Sequence, residues 1–177
     1  RAREYLTSWQ AHNGPHLQGI NYPERRGPFL WSECHAKPLF QKKTDLCMEG
    51  FLKLPAGTVS RQIKMIPEKN AWQVEDFFEP ISDEVVAPLE TCWQFAPECK
   101  IEKLSERSFK LIRTEGAALL ITVGESWNEI NLFTPKKYEH FHSAPEDLNG
   151  LCSPSFRTLQ RGPRLVLSGP LNTKLSI

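Results

Sequence analysis

The sequence has little that marks a membrane-spanning or nucleic-acid-binding protein. No apolar run approaches the roughly 20 residues that a membrane-spanning helix needs, and the longest, residues 117–123, has the length of a buried strand. Basic residues number 22 and acidic residues 21. The two signs are interspersed, so no basic stripe is available to hold a nucleic-acid backbone. We therefore expect neither a membrane nor nucleic acid among its partners.

Several short motifs of enzyme chemistry are also absent. The chain has no GxSxG, P-loop, GxGxxG or HExxH motif, and no carboxylate pair stands out as the acid and base of a glycosidase. It lacks CxxC, which argues against a zinc site built from thiolates. The five cysteines are an odd number, so at least one stays outside any intramolecular disulfide. We expect buried, reduced thiols at Cys34, Cys47, Cys92, Cys99 and Cys152.

Proline and glycine, in contrast, are spread along the whole chain. The 14 prolines and 10 glycines separate short runs rich in Val, Ile, Leu, Phe, Trp and Thr, which is typical of β-sandwiches. We predict an all-β fold, a multi-stranded antiparallel β-sandwich of two or more stacked sheets, for residues 29–177, after an irregular N-terminal segment, residues 1–28. Most of the five tryptophans are expected in its core. Besides the hairpin described next, strands are predicted for residues 29–35, 46–54, 89–95, 109–113, 117–123, 127–133 and 164–167.

The clearest predicted element is a β-hairpin. Alternate residues are apolar in segments 59–65 and 72–78, and turn-forming residues 67–70 connect them. A four-residue loop pairs the apolar residues with one another: Val59 with Phe78, Ile63 with Val74 and Met65 with Trp72. The same register sets Arg61 opposite Asp76, where cross-strand Cβ atoms lie about 4.5–5.5 Å apart. We expect a structural ion pair there; the alternative places both charges at the sheet margin in water.

Two pairs of histidines are candidate metal ligands. His12 and His16 are four residues apart in a non-helical segment, and His140 and His142 point to the same side if they lie on a strand. Neither pair completes a ligand set in its own neighbourhood. Solvated or buried, hydrogen-bonded histidines are the alternative.

A series of short segments resembles, in order, the motifs of heparinase II/III-type polysaccharide lyases. Residues 3–8 (REYLTS) and 11–13 (AHN) are similar to the family's DYFRST and AHN. The later segments are residues 27–31 (GPFLW, similar to G-x-F-x-W), 72–76 (WQVED, similar to W-x-V-x-D), 93–97 (WQFAP, similar to WHLAP), 153–156 (SPSF, similar to SPxY) and 169–171 (GPL). The resemblance extends over almost the whole chain and is carried by the set of motifs together.

The resemblance implies a part in the cleavage of uronic-acid-containing polysaccharides by β-elimination. A base removes the proton α to the carboxylate, a neutralising group holds that carboxylate, and an acid protonates the leaving oxygen. In this family most of these groups belong to an N-terminal (α/α) toroid and an upstream His-x-His motif. A chain that begins at Arg1, without Met or a leader, is expected to be a processed product or a fragment.

For this chain the resemblance implies the β-sandwich part of such an enzyme, with no catalytic residue of its own and no activity alone. The expected partners are an acidic polysaccharide and the toroid of the parent enzyme, in the periplasm or outside the cell. His12 matches a histidine that in some members helps to bind a structural zinc. Zinc is therefore a cofactor that the resemblance implies for the intact enzyme, and a single imidazole would hold it weakly.

Two other functions are compatible with the same residues. The first is a stand-alone carbohydrate-binding or interaction module, whose mark would be exposed aromatic side chains with Arg or Lys on one face of a sheet. The second is a cupin-like metal enzyme that uses the N-terminal histidines or His140 and His142.

Overall fold

The computed structural model describes residues 2–20, 22, 25–27, 30, 32, 38–85, 87–135, 140–141, 148–154, 158–171 and 173–177. Strands account for 53% of the chain and helices for 7%, which confirms the predicted all-β class with several antiparallel sheets. Within the described ranges, none of the helices has the length and apolar character needed to cross a membrane.

The regular elements follow the order of the sequence. One short helix, α1, covers Ala2–Leu6, and single 3-10 turns cover Trp9–Ala11 and Pro67–Lys69. The strands are β1 Gly14–Leu17, β2 Pro38–Thr44, β3 Cys47–Leu54, β4 Gly57–Ile66, β5 Ala71–Pro80, β6 Leu89–Gln94, β7 Lys100–Lys103, β8 Ser108–Ile112, β9 Ala118–Thr122, β10 Glu129–Phe133, β11 His140–Phe141, β12 Leu151–Cys152, β13 Leu159–Arg161, β14 Arg164–Gly169 and β15 Leu175–Ser176.

These strands form four sheets, in the orders β1-β6-β14-β10, β11-β13-β12, β15-β5-β4-β3-β2 and β7-β8-β9. The chain divides into two compact units. Unit 1 consists of Arg1–Gly14, Thr91–Val123 and Glu129–Leu167, and unit 2 of Pro15–Glu90, Gly124–Asn128 and Ser168–Ile177.

The five-stranded sheet of unit 2 contains the predicted hairpin, and its register is confirmed. Arg61 pairs with Asp76, and the three predicted apolar pairs on either side of it are also formed. The connection is a 3-10 turn that ends at Asn70, which takes a left-handed conformation with φ 46°. Asn tolerates this conformation better than most residues, because its short polar side chain can bond locally. The turn chemistry and the alternation of side chains therefore specify one register.

The core of unit 2 lies against one end of this sheet. Val59, Val74 and Phe78 are buried there, and Leu175 of β15 pairs with Asp76 next to them. Trp127 is fully buried and its indole N–H donates to the Ser176 carbonyl at 3.1 Å. A buried side chain of the size of Phe78 contributes about 1.5–3 kcal/mol through the hydrophobic effect.

The β7-β8-β9 sheet of unit 1 corrects one expectation. A tight turn at Glu115 and Gly116 joins β8 to β9, and Gly116 has φ 84°. Residues 117–123 were expected to form a buried strand. Ile121 and Val123 are indeed buried, but Leu119 and Leu120 are exposed, because β9 is the last strand of its sheet and buries only the end of one face.

Most of the predicted strands match observed ones to within a few residues, and several short strands are additional. The prediction for residues 29–35 lies outside the described residues, apart from Leu30 and Ser32. The segment 1–28, expected to be irregular, contains α1 and β1. Strand β2 was not predicted, because its sequence, PLFQKKT, has no alternation of apolar and polar residues. All of its residues are exposed.

Candidate functional site

An apolar groove lies on one face of the five-stranded sheet, towards the Pro67–Lys69 turn. It has a volume of about 400 Å³ and is lined by side chains from β2 to β5 and the β2–β3 turn. We call it the Trp72 groove; its apolar lining is Phe40, Leu46, Met48, Ile63, Met65 and Trp72.

The apolar side chains of the groove are unusually exposed. Phe40 is 77% exposed, Trp72 61% and Met48 56%. Single exposed apolar residues are common on protein surfaces, whereas a contiguous patch of them marks a binding surface. Trp72 is therefore an exception to the expectation that most of the tryptophans lie in the core, whereas Trp127 is fully buried. The alternation of apolar residues predicts the face on which Trp72 lies, but it does not predict which end of that face is covered.

The position of the Phe40 ring depends on Gly50, its cross-strand partner on β3. A Cβ atom at Gly50 would lie 3.1 Å from Cε1 and 3.3 Å from Cδ1 of Phe40. The ring therefore rests directly on the backbone of β3. This close approach holds a large aromatic surface flat on an otherwise exposed strand.

The polar part of the groove is Arg61, whose side chain is fixed by Asp76. Its Nε and Nη2 atoms donate to Oδ1 and Oδ2 of Asp76, each at 2.7 Å. Asp76 is buried and Arg61 retains slight exposure towards the groove. Such a two-point contact fixes the orientation of the guanidinium as well as neutralising its charge.

Charged side chains at the rim contrast with the apolar lining. Lys42, two residues from Phe40 on β2, lies 2.5 Å from Asp45, and both side chains are exposed. On the opposite face of the sheet, Lys43 is bonded to Glu49 at 2.9 Å and Gln73 to Glu75 at 3.1 Å. That face is mixed, because Leu39 and Phe51 pair there as cross-strand neighbours.

The histidines are distributed over separate environments. His12 is exposed and its backbone N–H bonds to the Trp9 carbonyl at 3.0 Å. His16 is buried, with Nε2 2.9 Å from Oε1 of Glu90. His140 lies on β11, its side chain is not described, and His142 lies outside the described residues. Across the described part of the chain, three or more His, Cys, Asp or Glu side chains do not come together in a metal-binding group.

A second polar cluster lies in unit 1 around Arg164, which is buried. Its Nε donates to Sγ of Cys92 at 3.0 Å, Nη2 donates to the Gln10 carbonyl at 2.6 Å, and Nη1 donates to the Tyr5 hydroxyl. The guanidinium carbon lies 5.6 Å from the centre of the Tyr5 ring. We call these four residues the Arg164 cluster.

Two acidic groups near this cluster are held in their neutral forms. Burial raises the pKa of the Tyr5 phenol, and the charge of Arg164 offsets this only in part. Burial, with a smaller contribution from the Glu98 carboxylate, also raises the pKa of the Cys152 thiol. Cys47, Cys92, Cys99 and Cys152 are all reduced, and Cys92 and Cys99 are buried.

In comparisons with known proteins, no family model, curated protein or solved structure matches the chain.

Proposed function

We propose that this chain is the glycan-binding β-sandwich part of a polysaccharide lyase of the heparinase II/III type, and that the Trp72 groove holds the polysaccharide. The proposal is carried by one observation, the two exposed aromatic rings of Phe40 and Trp72 on a single groove. The motifs that resemble the lyase family support the class of glycan, and the groove supports a role in binding.

The chemistry of the rings suits sugars. A pyranose ring has a face of C–H bonds that packs on an aromatic ring, while its hydroxyl groups remain in water or bond to polar neighbours. The volume of about 400 Å³ is in the range of small-molecule sites. Exposed Trp and Phe with a nearby Arg and Lys on one sheet face are also the mark expected of a carbohydrate-binding module.

The spacing of the strands favours a polymer over a single sugar. Phe40 lies on β2 and Trp72 on β5, with β3 and β4 between them. Three strand spacings correspond to about 14 Å. A ligand that contacts both rings must therefore extend over more than one sugar unit.

Lys42 is the cation best placed to meet a uronate carboxylate. Its ion pair with Asp45 is exposed on both sides, and such pairs contribute about 0–1 kcal/mol, so a ligand carboxylate can replace Asp45. Arg61, in contrast, is bound to the buried Asp76 and acts as a fixed polar part of the groove floor.

Binding is tested by titrating uronic-acid and neutral oligosaccharides into the protein and into Phe40→Ala and Trp72→Ala variants by calorimetry. Each variant is expected to bind the acidic oligosaccharide about tenfold more weakly, a loss of about 1.4 kcal/mol. The matched controls are Leu39→Ala and Gln73→Ala, which change the adjacent residue on the opposite face of the same strand. Equal losses in the controls and the groove variants would refute the proposal.

The lyase part of the proposal assigns the proton transfers to residues outside this chain. An absorbance assay for unsaturated uronate products, with heparan and alginate as substrates, is expected to show no turnover by this chain alone. Clear turnover would contradict the proposal. A stand-alone binding module would give the same binding results, and the coding sequence upstream of Arg1 separates the two, because the lyase requires a helical domain that ends in His-x-His.

A further inference from the structure

A second cavity lies at the end of the five-stranded sheet that carries the Trp72 groove. It has a volume of about 380 Å³, close to that of the groove. Its walls are Thr44 and Leu46 at the connection between β2 and β3, residues 64–66 at the end of β4, and the Pro67–Lys69 turn. We call it the turn cavity. It belongs to unit 2, as the groove does.

The two cavities meet at Leu46 and Met65, which line both of them. The Met65 N–H donates to the Leu46 carbonyl at 2.8 Å, so a backbone hydrogen bond fixes the position of this boundary. The side chain of Leu46 is 44% exposed. A ligand that fills the Trp72 groove can therefore continue over an exposed apolar residue into the turn cavity.

The charges that line the two cavities differ. In the turn cavity they are two cations, Lys64 and Lys69, and one anion, Glu68, and all three residues are exposed. The lining of the Trp72 groove has one charge of each sign, Asp45 and Arg61. The turn cavity thus has an excess of positive charge, which favours an acidic ligand group over a neutral one.

Thr44 adds a hydrogen-bond donor to this positive cavity. Its hydroxyl oxygen accepts a hydrogen bond from the Leu46 N–H at 3.2 Å. A hydroxyl that accepts one hydrogen bond keeps its own hydrogen for donation. Two ammonium groups and a hydroxyl donor together suit a carboxylate, whose oxygens only accept hydrogen bonds.

We propose that the turn cavity is a second subsite of the glycan site, and that it binds a uronate carboxylate further along the same polysaccharide. This inference rests on the proposed function, because a polymer held by Phe40 and Trp72 brings its next acidic sugars to the Leu46 boundary. Lys64 precedes Met65 on β4, so its side chain is on the opposite face of the sheet. The polysaccharide therefore passes over the end of the sheet, between the β2–β3 connection and the Pro67–Lys69 turn.

Two connected subsites predict that affinity depends on the length of the oligosaccharide. A tetrasaccharide is expected to occupy the Trp72 groove alone, whereas an octasaccharide reaches both cavities. Each exposed ion pair changes affinity by up to about fivefold. With two lysines in the turn cavity, the octasaccharide is expected to bind roughly tenfold more tightly than the tetrasaccharide, and the difference should shrink at high salt.

The first test compares alginate oligosaccharides of the two lengths, whose acidic groups are all carboxylates, by calorimetry. A double variant, Lys64→Ala with Lys69→Ala, is expected to bind the tetrasaccharide as the wild type does and to lose the roughly tenfold gain of the octasaccharide. The control is Lys53→Ala, which changes an exposed lysine near the other end of the same sheet. Equal affinities of the two lengths in the wild type, or a gain that persists in the double variant, would overturn the proposal.

The second test predicts tighter binding, which damage to the turn would not produce. Glu68→Gln removes the one acidic side chain that lines the turn cavity and keeps its size. It is expected to strengthen binding of the octasaccharide about twofold and to leave the tetrasaccharide unchanged. Unchanged or weaker binding of the octasaccharide would contradict the subsite.

The third test uses the unmodified protein and locates the ligand. The backbone amide NMR signals of Glu68 and Lys69 are expected to shift with the octasaccharide and to stay in place with the tetrasaccharide. If the octasaccharide binds and leaves both signals in place, the turn cavity is not a subsite. The proposed function then still stands, provided that Phe40→Ala and Trp72→Ala weaken binding of the tetrasaccharide. If neither oligosaccharide binds, both the proposed function and the second subsite are refuted.

Discussion

The two ends of the β4–β5 hairpin have the same alternation of side chains and opposite surroundings. At one end Val59 and Phe78 are buried, whereas at the other end Trp72, opposite Met65, is mostly exposed. Six residues separate the two ends along a strand, which is about 20 Å. The same pattern thus builds a core at one end and an open apolar surface at the other. The alternation determines the face to which a side chain belongs, and the rest of the chain determines which end is covered.

The ion pair of Arg61 and Asp76 lies between the two ends. This pair is charged, whereas the pairs on either side of it are apolar, and the Asp76 carboxylate is buried. The charge of Asp76 is therefore tolerated only because Arg61 satisfies both of its oxygens.

The largest expected difference in stability is between alanine substitutions at the two ends of the hairpin. Phe78→Ala is expected to lower the free energy of unfolding by about 3–5 kcal/mol, because it removes a fully buried ring and leaves a cavity. Trp72→Ala removes a larger side chain and is expected to change it by no more than about 0.5 kcal/mol. Chemical denaturation measures both. A Trp72→Ala loss as large as that of Phe78→Ala would mean that Trp72 belongs to the core after all.

The contribution of the ion pair to stability is tested by Asp76→Ala, which leaves Arg61 without its counter-ion. The expected loss of stability is about 3 kcal/mol, at the lower end for a broken buried pair since Arg61 retains some exposure. The control is Glu75→Ala, the neighbouring carboxylate on the opposite face, which lies 3.9 Å from Nζ of Lys174. A loss of less than about 1 kcal/mol is expected there. Similar melting curves for the two variants would contradict the structural role of the pair.

The exposed end is tested by charge as well as by aromatic surface. Lys42→Ala is expected to weaken binding of a uronic-acid oligosaccharide by about fivefold, or about 1 kcal/mol, and to leave binding of a neutral oligosaccharide unchanged. Lys43→Ala is the control, because Lys43 pairs with Glu49. The effect of Lys42 should disappear at high salt. If both oligosaccharides lose affinity equally, Lys42 does not act through a carboxylate.

The smallest expected effect separates ligand binding from stability. Gly50→Ala should leave the protein as stable as before or stabilise it by up to about 1 kcal/mol, because glycine is unfavourable within a strand. It should nevertheless weaken glycan binding about twofold, since the new Cβ moves the Phe40 ring by a few tenths of an ångström. Unchanged affinity would show that the position of Phe40 is not important.

The hairpin could be predicted because all of its determinants are local. Alternation between residues 59 and 78, a turn of Pro, Glu, Lys and Asn, and one pair of opposite charges allow a single register, and the structure has that register. Phe40 could not be predicted as a site residue, because Gln41, Lys42 and Lys43 follow it and give no period-two apolar signal.

The remaining site features depend on contacts between distant parts of the chain. His16 meets Glu90, and Arg164 meets Cys92, across more than seventy residues in each case, without a motif at either position. Local patterns of side chains carry no information on such pairs. The exposure of Trp72 could not be predicted from local patterns either, because it depends on which other parts of the chain pack against that end of the sheet.

The central claim is most directly tested by the methyl NMR signals of the two methionines. The chain contains only Met48 and Met65, and both line the Trp72 groove. Titration of methyl-labelled protein with a uronic-acid oligosaccharide is expected to shift both signals with one common saturation curve, and Trp72→Ala should abolish the shift. Binding of the oligosaccharide with both methionine signals unmoved would contradict the account.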